Sequence, residues 1–104
     1  MNAQMQKQVA KFVELHGLRA GVAHRMLDLV SEIGELSKEL LKSTDYGKKE
    51  FRSGENWEEE LGDVLFSLIC VANATGVDLG QALATVLEKY ERRLEFKGNA
   101  GSGR

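Results

Sequence analysis

Proline is absent from this chain, so no position lacks the backbone N–H that helix propagation needs. Cysteine occurs once, as Cys70, which excludes an intrachain disulfide. A lone thiol inside the apolar run "VLFSLICVANA" reads as buried and inert, and suits a reducing cytoplasm. An excess of positive charge is also lacking: 14 Lys+Arg stand against 16 Asp+Glu, for a formal net charge of -2. That is not the basic footprint of a nucleic-acid binder. No apolar run approaches the ~20 residues that span a bilayer, and "MNAQMQKQVAKF" carries no apolar core of a secretory signal. The expectation is a cytoplasmic, soluble protein with neither a nucleic-acid nor a membrane partner. A phosphate-rich ligand would then need help from a metal or a small basic cluster.

What is present is helical periodicity. The 104 residues, 42% hydrophobic and 29% charged, fit one domain able to bury roughly 60–70% of its unfolded surface. Apolar residues recur at three- and four-residue spacing nearly throughout, which predicts an all-α fold. A first helix is expected from about Ala3 to His16, with Met5, Val9, Phe12 and Val13 on one stripe, ended by Gly17. A second runs from about Gly21 to Leu41 on the stripe Met26, Val30, Ile33, Leu40 and Leu41. "KSTDYGKKEFRSGEN" reads as a loop. Asn56, with Glu59 three residues on, is expected to cap a third helix from Trp57 to about Thr75. Asp78 is the expected cap of a fourth. Residues 1–97 form the domain, and 98–104, "GNAGSGR", read as a flexible tail.

Two of these helices carry carboxylates in an unusual way. On the second, His24, Asp28, Glu32 and Glu35 share one quadrant at about 100° per residue, roughly opposite the apolar stripe. Alone, that is a solvated face. The third is apolar almost all round from Leu61 to Ala74, yet Glu60 and Asp63 lie at its start, about 60° apart. Small Ser67 and Ala74 continue their face and are expected to leave room there. An ionised carboxylate in low dielectric without a partner costs several kcal/mol. If the two helices pack antiparallel, four carboxylates converge, each pair repelling by about 4 kcal/mol at 4 Å and an effective dielectric of 20. Oxygen ligands without His or Cys select Mg²⁺, Mn²⁺ or Ca²⁺.

The order "SEIGEL", loop, "EEELGDVLF", then "KYERRLEF" resembles the MazG-like, all-α nucleoside triphosphate pyrophosphohydrolases from the first helix to about Lys97. Their hallmark is E-E-x-x-E, a spacer, E-x-x-D and a helix ending in Lys and Arg; the first Glu is Ser31 here. The resemblance implies a four-helix bundle completed by homo-oligomerisation, as a dimer or a tetramer of pairs with shared active sites. It implies Mg²⁺, with Mn²⁺ as a substitute, held by Glu32, Glu35, Glu60 and Asp63. It also implies a (d)NTP substrate cleaved between the α- and β-phosphates to a monophosphate and pyrophosphate, as nucleotide-pool house-cleaning.

Within that reading, Glu35 is the candidate general base. Lys89 and Arg93, four apart on one helix face, are candidate phosphate ligands. His24 is a candidate contact to base or sugar. Asn73, a polar residue on a buried helix, needs a hydrogen-bond partner for which substrate is one candidate. Phe12, His16 and Trp57 are candidate walls of a base pocket. The alternative from another class is a non-catalytic helical oligomer or partner-binding module whose carboxylates hold a structural cation. A di-iron bundle would want Glu-x-x-His, and neither His16 nor His24 follows a Glu at that spacing.

Overall fold

The computed structural model describes residues 3–97; the expected tail at 98–104 lies outside them. Four helices follow one another: α1 (Ala3–Leu15), α2 (Val22–Ser43), α3 (Trp57–Ala74) and α4 (Leu79–Lys97). No strand occurs among the described residues.

The helix ends follow local chemistry. Past α1, Gly17 adopts φ 63° and the Leu18 N–H returns to the Val13 carbonyl at 2.9 Å. Past α3, Gly76 adopts φ 68° and the Val77 N–H returns to Ala72 at 2.9 Å. Both are left-handed stops that glycine accepts without steric cost. Asp78 caps α4, its Oδ1 accepting the Gln81 N–H at 3.0 Å.

Asn56 differs from expectation. It sits in the right-handed helical region and makes no side-chain cap bond. Its carbonyl accepts the Glu60 N–H at 2.9 Å, and the Trp57 N–H reaches the Gly54 carbonyl at 3.2 Å. A turn over 54–57 thus leads into α3, and its helical backbone keeps Asn56 from the extended conformation that a cap needs. After α2, Asp45, Tyr46 and Gly47 run through positive φ (49°, 59° and 89°). The Thr44 hydroxyl braces them, donating to Leu40 O at 2.9 Å and accepting the Gly47 N–H at 3.1 Å.

Packing is concentrated on α3, which lies against α2 along much of its length and against α1 more lightly. Ile69, Cys70 and Ala72 are buried there, with Ser67 beside them. Phe12 of α1 meets Phe66 edge-on at 6.2 Å between ring centres. Burial pushes the Cys70 thiol up from its ordinary pKa, an effect that nearby Arg25 opposes and Asp28 reinforces. The thiol therefore stays protonated and inert.

The faces of α2 are turned the unusual way. Arg25 is buried, and Asp28, Leu29, Glu32, Leu36 and Glu39 are half-buried. Met26, Val30, Ile33, Leu40 and Leu41, the apolar stripe, all face out, with Val30 61% exposed. Helix α4 leaves α3 at 100°, packs extensively on no other helix, and exposes Leu83, Leu87, Leu94 and Phe96. The accessible surface of 7910 Å² exceeds the ~5,800 Å² of a compact monomer of this size. The radius of gyration, 16.7 Å, exceeds the ~13 Å expected. The single chain thus buries only about half of its unfolded surface, less than the fraction expected from length; among the described residues, the apolar stripe of α2 and the leucines of α4 stay largely exposed.

Replacing Gly76 by alanine should lower stability by about 1 kcal/mol, since its φ of 68° is costly for an L side chain. Thermal unfolding checks this. An unchanged midpoint would contradict the assignment of Gly76 as an obligatory left-handed stop.

Candidate metal centre

Antiparallel packing of α2 on α3 brings together the two acidic motifs, because Glu32 projects from the inward side of α2 and Glu60 and Asp63 from the first turns of α3. Carboxylate oxygens of Glu32, Glu60 and Asp63 all lie within 4.8 Å of one another. Glu32 and Glu60 are half-buried, whereas Asp63 is exposed.

The electrostatics record the crowding. The Glu32 pKa is raised, first by loss of solvent and then by Asp63, Glu35 and Asp28. The Glu60 pKa is raised by loss of solvent, then by Asp63, Glu35, Glu32 and Glu39. Glu35 is exposed and stands outside the three-oxygen group, yet it acts on both glutamates. Glu39 is a member of this field that sequence reasoning left out of the site; its spacing, four beyond Glu35, was the available signal. Beside Asp63 lies an open depression of about 530 Å³ lined by Glu55, Glu58, Glu59 and Gly62. Among the described residues, no Lys, Arg or His lines it.

A donor set of three carboxylates without nitrogen or sulfur fits a hard divalent ion. The oxygens are already gathered against their mutual repulsion, so a small inward movement of side chains would close them on such an ion.

The other candidates sit elsewhere. His24 Nε2 lies 3.5 Å from Asp28 Oδ2, one turn before Glu32. Asp28 Oδ2 also lies 3.9 Å from Nη1 of Arg25, whose Nη2 donates to the Leu18 carbonyl. Asn73 has its amide engaged inside the fold: Nδ2 donates to Gln6 O at 3.0 Å and Oδ1 accepts from Gln6 Nε2 at 3.0 Å. The partner it requires is thus a side chain 67 residues upstream in sequence. Lys89 and Arg93 flank Tyr90 on α4, at 5.3 and 6.0 Å from its ring centre. Of the aromatics, Phe12 meets His16 in a tilted contact at 4.6 Å between ring centres, while Trp57 meets Phe51 at 4.8 Å.

The small residues on the acidic face of α3 are also used differently from expectation. Ser67 is buried, so packing consumes the space expected beside it. Ala74 lines a separate cavity of about 330 Å³ with Val13, Arg25 and Cys70.

Two outcomes follow. In chelator, Asp63→Asn should raise the thermal midpoint, because it removes a charge that repels Glu32 and Glu60, and should abolish the gain that divalent ions give the wild type. Proton counting sets the pH dependence. With folded pKa values above the ordinary 4.5, the folded chain holds more protons than the unfolded one above that pH, so stability falls as pH rises through the window. The midpoint advantage of Glu60→Gln over wild type in chelator should therefore shrink as pH falls from 7 towards 4.5. A constant difference would contradict the shared field.

A family model described as the MazG nucleotide pyrophosphohydrolase domain matches residues 22–95. The chain is 34% identical over 96 residues to the uncharacterized protein YpjD of Bacillus subtilis (strain 168), covering 89% of this chain and 82% of that one. It superposes on the crystal structure of the Bacillus-conserved MazG protein, a nucleotide pyrophosphohydrolase, with TM-score 0.71 and 35% identity over 85% of this chain and 86% of that one. The crystal structure of YpjD from Bacillus subtilis gives TM-score 0.71 and 30% identity over 89% and 95%. Four helices, two facing acidic motifs and a match that spans both place this hydrolase in the MazG nucleotide pyrophosphohydrolase family.

Proposed function

We propose that this chain hydrolyses nucleoside triphosphates between the α- and β-phosphates, giving a (d)NMP and pyrophosphate, in nucleotide-pool house-cleaning in the cytoplasm. The observation that carries this reading is the convergence of Glu32, Glu60 and Asp63 oxygens within 4.8 Å. Mg²⁺, or Mn²⁺ in its place, is the ion these oxygens would hold together with Glu35, and when bound it supplies charge neutralisation for the triphosphate and a water of lowered pKa.

The side chains divide the remaining work. Glu35, solvated beside the trio and near enough to act on Glu32 and Glu60, is the proposed acceptor of the attacking water's proton. Lys89 and Arg93 offset charge on the departing pyrophosphate. His24, held by Asp28, is the proposed contact to base or sugar.

A second copy belongs to the same proposal. The outward stripes of α2 and α4 stay exposed among the described residues, and covering each Val, Leu or Ile side chain contributes about 1.5–3 kcal/mol. A dimer, or a tetramer of pairs, would cover them and could bring the basic end of one α4 to the carboxylates of a neighbour.

Incubation with each NTP and dNTP plus Mg²⁺, followed by chromatography, should yield monophosphate and pyrophosphate. Diphosphate and phosphate would overturn the bond assignment. Glu35→Gln should lower kcat about 10²–10⁴-fold, the usual contribution of a general base, while Mn²⁺ affinity falls far less, through the loss of one of four ligating carboxylates. Equal losses of both would make Glu35 a ligand only. In sedimentation, the wild type should run as a dimer or larger, and Val30→Asp should dissociate it. A monodisperse wild-type monomer would remove the oligomer from the account.

A further inference from the structure

Helix α4 is an arm. It leaves α3 at 100° and has no extensive packing against α1, α2 or α3 to hold its direction. From Leu79 to Arg93 it runs roughly 21 Å at 1.5 Å per residue. A swing of about 10° at the turn therefore moves the basic end by about 4 Å, more than a hydrogen bond tolerates. Something at the turn has to fix the angle.

Gln6 of α1 is built into that turn. Its Nε2 donates to the Val77 carbonyl at 2.8 Å and to Asn73 Oδ1 at 3.0 Å. Its Oε1 accepts the N–H of Leu79, the first residue of α4, at 2.8 Å. Asn73 Nδ2 completes the ring by donating to the backbone carbonyl of Gln6 at 3.0 Å. One amide thus grips the chain on both sides of Asp78 and satisfies an N–H that a helix start leaves without a partner. A second amide, on α3, holds the first. The turn also has its own internal stop at Gly76, so helix ending alone does not need Gln6.

We propose that Gln6, seated by Asn73, is a positioning residue for the hydrolase: it sets the direction of α4 and so delivers Lys89 and Arg93 to the phosphates of the substrate. This rests on the reading of those two side chains as phosphate contacts. It moves Asn73 from substrate contact to support of the clamp. Neither amide takes part in the chemistry.

The test is a double-mutant cycle on the full chain, with Mg²⁺ and the best NTP found in the substrate panel. Gln6→Ala should lower kcat/KM about tenfold, mainly through KM, with Mn²⁺ affinity unchanged because the carboxylates lie on α2 and α3. Arg93→Ala should lower it as well, and the double variant should lose less than the product of the two single losses, because Gln6 there still directs Lys89. Asn73→Ala, which leaves Gln6 its bonds to Val77 and Leu79 and removes only the amide that seats it, should fall between wild type and Gln6→Ala, and it serves if that variant does not fold. Losses that multiply in the double variant, or wild-type kcat/KM in Gln6→Ala beside an impaired Arg93→Ala, would overturn the clamp and leave the phosphate reading standing. Full activity in both Lys89→Ala and Arg93→Ala would overturn the phosphate reading, and the route assigned to Gln6 with it.

Discussion

Repulsion among carboxylates held between α2 and α3 is the constraint on which the rest of this structure depends. A lone amphipathic helix would turn Glu32 and Glu39 to water and Met26, Val30 and Ile33 to its neighbour. Here α2 turns Asp28, Glu32 and Glu39 inward beside Leu29 and Leu36, and leaves Met26, Val30, Ile33, Leu40 and Leu41 outside. Each half of that inversion is unfavourable in a free single chain. The inner half calls for positive charge, and the outer half calls for another apolar surface. Cation binding and self-association are therefore two answers to one arrangement, which is why they belong in the same functional account.

The same inversion explains the thin core. Ile69, Cys70 and Ala72 supply its buried apolar side chains among the described residues, too little for a domain of this length to rest on alone. The remaining order is supplied by polar devices at the ends of elements: the Arg25 guanidinium on the Leu18 carbonyl, Thr44 under the left-handed turn, and the Gln6–Asn73 ring at the root of α4. These fix directions rather than bury area. Directions are what a site assembled from several helices requires.

Much of this was legible from residue order, and the parts that were not share a cause. Gly17, Gly76 and Asp78 act within a few residues of themselves, so the helix ends they govern could be read directly. Of the four carboxylates expected to converge if α2 and α3 pack antiparallel, Glu32, Glu60 and Asp63 come within 4.8 Å of one another and Glu35 stands outside them. Periodicity showed that α2 has two faces, yet by itself it could not tell which one meets α3. Asn73 announced its need for a partner but not that Gln6, far upstream, would meet it. Asn56 had the composition of a cap and lost that role to a turn at Gly54, where backbone bonding prevailed over side-chain preference. Ser67 was small for packing rather than for vacancy, a distinction that only coordinates can draw.

The central claim is that the inward acids hold a divalent ion. Anomalous scattering from crystals grown with Mn²⁺ tests it most directly. The account requires a peak within coordination distance, about 2.0–2.4 Å, of oxygens from Glu32, Glu60 and Asp63. Full Mn²⁺ occupancy elsewhere, with these three carboxylates unligated, would contradict it.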